Sequence, residues 1–250
     1  MRLGFKSAVV VCAIAIATAP AKAFADVRLP AIISDHMVLQ SGVAVPIWGW
    51  ADAGQEVTVE IAGQKKTATA DAQGAWRVRL DAIAAGGPHV LMVRPSGSDA
   101  KALEVQDVLV GEVWLASGQS NMAMTVDRCN DAASEKAAAE YPKLRMFKVA
   151  TDPTDKPKAD CKGQWLVCSP KTAGGFSATA YYFGRELHKT LDAPVGLINT
   201  SVGGTPIEAW TSWDAQEKEP KLASLLARSR KSVRWPRTAS PFTPRVCPLE

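Results

Sequence analysis

A small all-β sandwich followed by a parallel α/β layer is the fold class the sequence predicts, and three observations carry it. First, residues 26–106 have period two: Val57, Val59 and Ile61 alternate with Thr58 and Glu60, and Trp76, Val78 and Leu80 with Arg77 and Arg79. Successive strand side chains point to opposite faces, so such alternation marks half-buried strands. Second, Val108 to Ala116 is nearly continuous apolar sequence, as in a strand buried on both faces. Third, a helical pattern over Ser177–Leu191 precedes a second apolar run at Ala193–Ile198, and strand, helix and strand with longer connections build a parallel sheet.

The elements follow in order. Turn-like breaks fall at Asp52–Gly54, Ala62–Gln64, Asp71–Gly74, Gly86–Pro88 and Pro95–Gly97. Their spacing of about ten residues is that of short sandwich strands. No helical pattern of useful length lies before Gln106. In the later helix the apolar positions Ala180, Phe183, Leu187 and Leu191 fall on one stripe, with Ser177 placed to cap. The stretch 150–170, rich in Lys, Asp and Pro, reads as a surface excursion.

The two ends differ from the body. Residues 1–25 have Arg2 and Lys6 before an apolar run at Ala8–Ala19 and close on Ala23-Phe24-Ala25, the pattern of a secretory signal peptide. The run falls short of the roughly 20 residues that span a bilayer, and no later stretch is apolar enough to do so. The expectation is an exported, periplasmic or extracellular protein with no membrane segment after cleavage. Residues 228–250 form an irregular tail with four prolines and six basic residues. The formal charge of +4 comes from these ends. Without the three basic residues of 1–25, and the six basic and one acidic of 228–250, totals of 29 and 25 become 20 and 24. A mildly acidic body lacks the clustered positive charge of a nucleic-acid footprint. Cys129, Cys161, Cys168 and Cys247 allow three pairings after export, and unpaired cysteines are the simpler expectation.

The chemistry lies in Gly111-Glu-Val-Trp-Leu-Ala-Ser-Gly-Gln-Ser-Asn-Met122. A buried strand ends near Ser117, Gly118 permits a tight turn, and Ser120 follows. A serine just past the carboxyl end of such a strand sits where α/β sheets place their sites. A helix opening after Asn121 would add amide donors for negative charge.

Gly118-Gln119-Ser120-Asn121-Met122 resembles the first block of the sialate O-acetylesterases and related acetylxylan esterases of the SGNH hydrolase superfamily. Leu29–Gln40 is similar to that family's entry to its N-terminal β domain, Phe176–Phe183 to a helix, and Gly196–Trp210 to a block supplying an oxyanion-hole glycine. The blocks fall in family order across residues 27–213. The resemblance implies an SGNH-like, flavodoxin-like sheet, incomplete here, over residues 107–227, after a β-sandwich at 26–106. It also implies Ser120 as nucleophile, and an oxyanion hole formed by the Ser120 amide and by Gly203 or Gly204, with no metal or organic cofactor. The implied substrate is an O-acetylated sugar, sialic acid first and xylan-type glycans second; oligomeric state stays open.

The family completes its site with a Gln-Gly-Glu block and an Asp-x-x-His, and neither occurs in this chain. Its histidines are His36, His89 and His188, preceded three places earlier by Ile33, Gly86 and Arg185. His188 reads as solvated and His36 as structural. Serine without a base is a poor nucleophile, so the expectation is an esterase by ancestry with little turnover of its own. A frame lost or cut between Trp213 and Ser232 would account for the missing blocks and the tail. The alternative is a glycan-binding module, which would need Trp48, Trp50 and Trp76 as an exposed stripe.

Overall fold

The structure, a computed structural model, describes residues 27–96, 102–152, 158–224 and 226; the predicted leader, the tail and Cys247 lie outside the described residues. The first strands are β1 (Val38–Gln40), β2 (Val45–Trp50), β3 (Glu56–Ile61), β4 (Gln64–Thr69), β5 (Ala75–Leu80) and β6 (Gly86–Pro95). Alternation works as read: Val57, Val59 and Ile61 of β3, and Trp76, Val78 and Leu80 of β5, are buried in one hydrophobic core while the residues between face outward. Gly54, Gly63 and Gly74 hold φ near +80°, where turns need a residue without a Cβ. The Gly86–Pro88 break is corrected. It opens β6 instead of a turn, because Gly87 (φ +115°) lets β6 approach β7: a Cβ there would lie 2.8 Å from the Val108 carbonyl.

Strand β7 (Leu103–Ala116) is the organising element. Its first half pairs antiparallel with β6; Leu109–Gly111 pair in parallel with β1; Glu112–Ala116 pair in parallel with β10 (Val195–Asn199). One strand thus runs through residue 106, where the two sequence regimes meet. β8 (Tyr141–Val149) lies parallel on the far side of β10, and β9 (Gly163–Cys168) antiparallel beyond it. The result is a mixed sheet in the order β4-β3-β6-β7-β10-β8-β9, with β1 alongside β7 and a separate β2–β5 pair.

Two sequence readings give way here. The excursion at 150–170 contains β9, drawn in because Trp165 packs on Phe147 with ring centroids 5.5 Å apart and donates its indole N–H to the Ile32 carbonyl at 2.8 Å. And β7 is not buried on both faces throughout. Val108–Gly111 are buried, but Trp114 and Leu115 are 45% and 67% exposed. Beyond Gln40, where β1 ends, no described strand continues along that edge; the Gln40 amide oxygen accepts from Val113 N–H at 2.8 Å.

The helix α3 (Ala178–Leu191) covers β10 and β8, with Ser177 Oγ accepting from Ala180 N–H as its cap. Gly184 lets it sit close, since a Cβ there would meet Leu197 and Leu144 side chains at about 3 Å. Its buried face is Ala178, Ala180, Tyr181 and Gly184; Phe183 and Leu191 of the predicted stripe are 44% and 52% exposed. Phe183 leans edge-on against Trp114 at 5.1 Å. Tyr181 and Arg185 both donate to the Glu135 carboxylate, tying α3 to α2 (Ala132–Ala137). Cys129, Cys161 and Cys168 are free thiols, and burial pushes the Cys168 thiol up to about 12.

Candidate active site

The end of β7 sets the site. After Ala116 the chain turns at Gly118 (φ +136°), a backbone position natural only to glycine, and Ser120 opens the one-turn helix α1 (Ser120–Ala123), two residues earlier than read. The segment is pinned from α3: Thr179 Oγ1 donates to the Asn121 carbonyl at 3.0 Å, and Ala178 N–H to the Met124 carbonyl at 2.8 Å. Ser120 itself is exposed.

The loop after β10 meets it from the neighbouring strand. Thr200 N–H donates to the Ala116 carbonyl at 3.0 Å and Val202 N–H to the Gly118 carbonyl at 2.9 Å. Buried Asn199 adds its side-chain amide to Ala116 O at 3.3 Å. Pulled in this way, Gly204 directs its N–H at Ser120 Oγ at 3.4 Å. A Cβ on Gly203 would stand 3.8 Å from the same oxygen, in ordinary contact. Ser120, Gly203 and Gly204 are thus brought together at the carboxyl edge of two parallel strands.

One side chain escaped the sequence reading. Gln119 Oε1 accepts from the Ser120 N–H at 2.8 Å. The signal was a Gln beside the serine, but only the φ/ψ of the turn tells where its side chain goes. Ser117, Gly118 and Gln119 form one wall of a cleft of about 460 Å³, and Thr205, Pro206, Ile207 and Trp210 form the other. The Trp210 indole N–H donates to Thr205 Oγ1, which in turn donates to the Val202 carbonyl, both at 2.8 Å.

No histidine joins this site. His36 Nδ1 lies 2.7 Å from Asp107 Oδ2, and Asp107 stands nine residues before Ala116 along β7. At ~3.3 Å per residue that places the pair roughly 30 Å from the Ser120 end of the strand. His89 pairs with Val108, at the same far end. His188 is half-buried instead of solvated; its Nδ1 lies 2.8 Å from the Ala193 carbonyl, just before β10 begins, a strand length from Gly203.

Around His36 and Asp107 the structure builds a closed charge network. Arg145, 4% exposed on β8, bonds the Asp107 carboxylate at 3.0 Å and the carbonyls of His36, Asp107 and Pro142. Burial alone would raise the Asp107 pKa, but hydrogen bonds from Arg145 and His36 hold it below the ordinary carboxylate value. Among the described residues no group of three or more His, Cys, Asp or Glu could hold a metal ion. Nor do the tryptophans form an exposed stripe. Trp76 is buried, while Trp48 and Trp50 are half-buried and Arg28 lies over the Trp50 ring at 3.8 Å.

Known proteins are similar across most of this chain. Rat sialate O-acetylesterase is 40% identical over 204 residues, 74% of this chain and 37% of the rat protein. Human sialate O-acetylesterase is 37% identical over 232 residues, 83% of this chain and 44% of the human one. The crystal structure of a carbohydrate acetylesterase from Xanthomonas citri superimposes with a TM-score of 0.73 at 40% identity, covering 78% of this chain and 45% of that one. The chain therefore spans less than half the length of these relatives. The family model for "carbohydrate esterase, sialic acid-specific acetylesterase" matches residues 110–239, past Trp210 where the last quoted motif ends. Matching just over half of its 250 residues, it shows that the chain belongs to the sialic acid-specific acetylesterase family of carbohydrate esterases.

Proposed function

We propose that this chain carries the nucleophile-bearing part of a serine carbohydrate esterase that removes O-acetyl groups from sialic acids, with xylan-type glycans as the second substrate class. The observation that carries the reading is the exposed Ser120 Oγ, 3.4 Å from the Gly204 N–H at the carboxyl edge of parallel β7. Ser120 Oγ attacks the acetyl carbon; the amide groups of Ser120 and Gly204, with Gly203 shaping the turn, face the oxygen that gains charge. Collapse of the tetrahedral species breaks its bond to the sugar oxygen, which leaves as a hydroxyl carrying the proton that Ser120 Oγ gave up on attack; the acetyl-Ser120 that remains is cleaved by water to acetate, returning a proton to Ser120 Oγ. Removing one preorganised donor of this kind costs roughly 3 kcal/mol in a serine protease.

The surrounding organisation belongs to the same proposal. The strands β7, β10 and β8 with α3 are part of an SGNH-like, flavodoxin-like sheet, and residues 26–106 are a small β-sandwich that serves as scaffold. The half-buried and buried tryptophans leave the alternative of a glycan-binding module without its platform. The leader pattern at 1–25 supports export, and among the described residues no helix is long and apolar enough to cross a membrane.

The test is binding, followed by NMR on ¹⁵N-labelled protein titrated with an O-acetylated methyl sialoside and, separately, its deacetylated form. The expected result is shift changes at Ser120, Gly203 and Gly204 that need the acetyl group. Equal responses to both sugars, or changes confined to residues 26–106, would overturn the reading.

A further inference from the structure

The amide that the proposed mechanism assigns to the oxyanion is already in use. Ser120 N–H donates to Gln119 Oε1 at 2.8 Å, at the short end of ordinary N–H···O bonds. Because the donor is a backbone N–H, the oxygen and not the NH₂ end of the Gln119 amide must face it. An amide carbonyl is an sp² oxygen acceptor like the carbonyl of an ester. It therefore stands on the Ser120 donor as an acyl oxygen would, and Gln119 also belongs to the wall of the cleft beside Ser120. The second donor, Gly204 N–H, is turned to Ser120 Oγ at 3.4 Å.

We propose that Gln119 is a built-in placeholder for the acyl oxygen: its side chain satisfies the Ser120 amide while the site is empty and swings out when an acyl or carboxylate oxygen arrives. This rests on the esterase reading of the site. The contact spans one residue and is exposed, so swinging out restores rotamer freedom to the glutamine and needs no rearrangement of β7 or α3. An unoccupied amide at the end of a strand would otherwise depend on water alone. A placeholder exacts the same displacement from ground state and transition state, so it weakens binding and leaves the chemical step alone.

Acetate is the probe, since its carboxylate presents one oxygen to each donor and it is the product of the proposed reaction. Wild type, Gln119→Met, which keeps length but loses the acceptor, and Gln119→Ala are compared by ¹⁵N–¹H NMR. Resonances away from residues 117–124 and 200–206 report whether the fold is intact. The expected result is an upfield move of the Ser120 amide proton in both variants. Acetate should also bind about two- to tenfold more tightly, the worth of one neutral hydrogen bond. If acetate shifts Ser120 and Gly204 but with the same affinity in all three proteins, and the Ser120 amide does not move, the placeholder is refuted while the esterase site stands. If acetate perturbs neither residue in any of the three, the site reading fails and takes this inference with it.

Discussion

Removing Ser120 from this chain should change its hydrolysis of an aryl acetate hardly at all. The magnitude follows from where the imidazoles are. A general base must come within about 3 Å of the proton it takes, directly or through one water. His36 is fixed to Asp107 at 2.7 Å, nine residues back along β7 from Ala116, which is roughly 30 Å at ~3.3 Å per residue. His89 shares that end and His188 is held to the Ala193 carbonyl before β10. In a serine hydrolase, loss of the base costs on the order of 10⁶ in kcat. From an ordinary ~10 per second this leaves ~10⁻⁵ per second, about one turnover a day. The assay is p-nitrophenyl acetate hydrolysis by the 250-residue chain and its Ser120→Ala variant at equal concentration, and the difference should vanish within error. Free imidazole at millimolar concentration should open a small gap between the two, because it supplies the missing base at an exposed serine. A Ser120-dependent rate near 10 per second would refute the reasoning, and His188 would then be the first residue to replace.

Two further predictions concern the network at the other end of β7. Arg145→Met should cost about 3 kcal/mol, since it strands a carboxylate and three carbonyls that the buried guanidinium now serves. At ~2–4 °C per kcal/mol the melting temperature should fall by roughly 6–12 °C. Arg28→Met, which breaks the exposed pair with Asp160, should cost less than about 1 kcal/mol. Equal losses for the two would refute the assignment. The Asp107 pKa is lowered in the folded chain, so its contribution is present in full above the ordinary value of 3.8 and is lost as pH falls through the folded value. Glu135, whose burial is outweighed by hydrogen bonds from Tyr181 and Arg185 that lower its pKa, acts with the same sign, its contribution present in full above its own ordinary value of 4.5. Urea midpoints between pH 5 and 3 should therefore fall less steeply for Asp107→Asn than for wild type, and parallel curves would show that Asp107 carries no linkage.

Much of this arrangement is legible before any coordinates. Alternation at Val57–Ile61 and Trp76–Leu80 reports strands because water lies on one face and the core on the other. Ser177 announces the start of α3 because a helix needs an acceptor for its first amides. Ser120, the proposed nucleophile, and the Gly203-Gly204 turn are legible for a similar reason: each follows closely on an apolar strand. What stays hidden is non-local. β8 is hidden because Arg145 interrupts its apolar run, and only tertiary structure shows that the charge is buried and partnered. The exposed Trp114, Leu115 and Phe183 read as core because the sequence reports hydrophobicity, not what covers it. The Gln119 contact with Ser120 N–H is illegible in sequence because it depends on one turn's dihedral angles.

Placement, not residue type, decides what the chemistry-bearing groups of this chain do. An imidazole with its Nδ1 2.7 Å from a carboxylate is the same pair that orients a catalytic base in a hydrolase triad. Here that pair sits where β1, β7 and β8 converge, on two residues held at positive φ, His36 (+68°) and Asp107 (+55°). Left-handed backbone in residues with a Cβ is unfavourable and persists where surrounding contacts over-determine it. Arg145 supplies those contacts, bonding both main-chain carbonyls as well as the carboxylate. A carboxylate so engaged holds its ring in place on a structural corner. At the opposite end of the same strand a single N–H, that of Gly204, is directed at the Ser120 oxygen instead, from a glycine loop that leaves Ser120 exposed. Moving a base to Ser120 is thus not a matter of rotating an existing side chain. None of His36, His89 and His188 reaches the Ser120 end of β7.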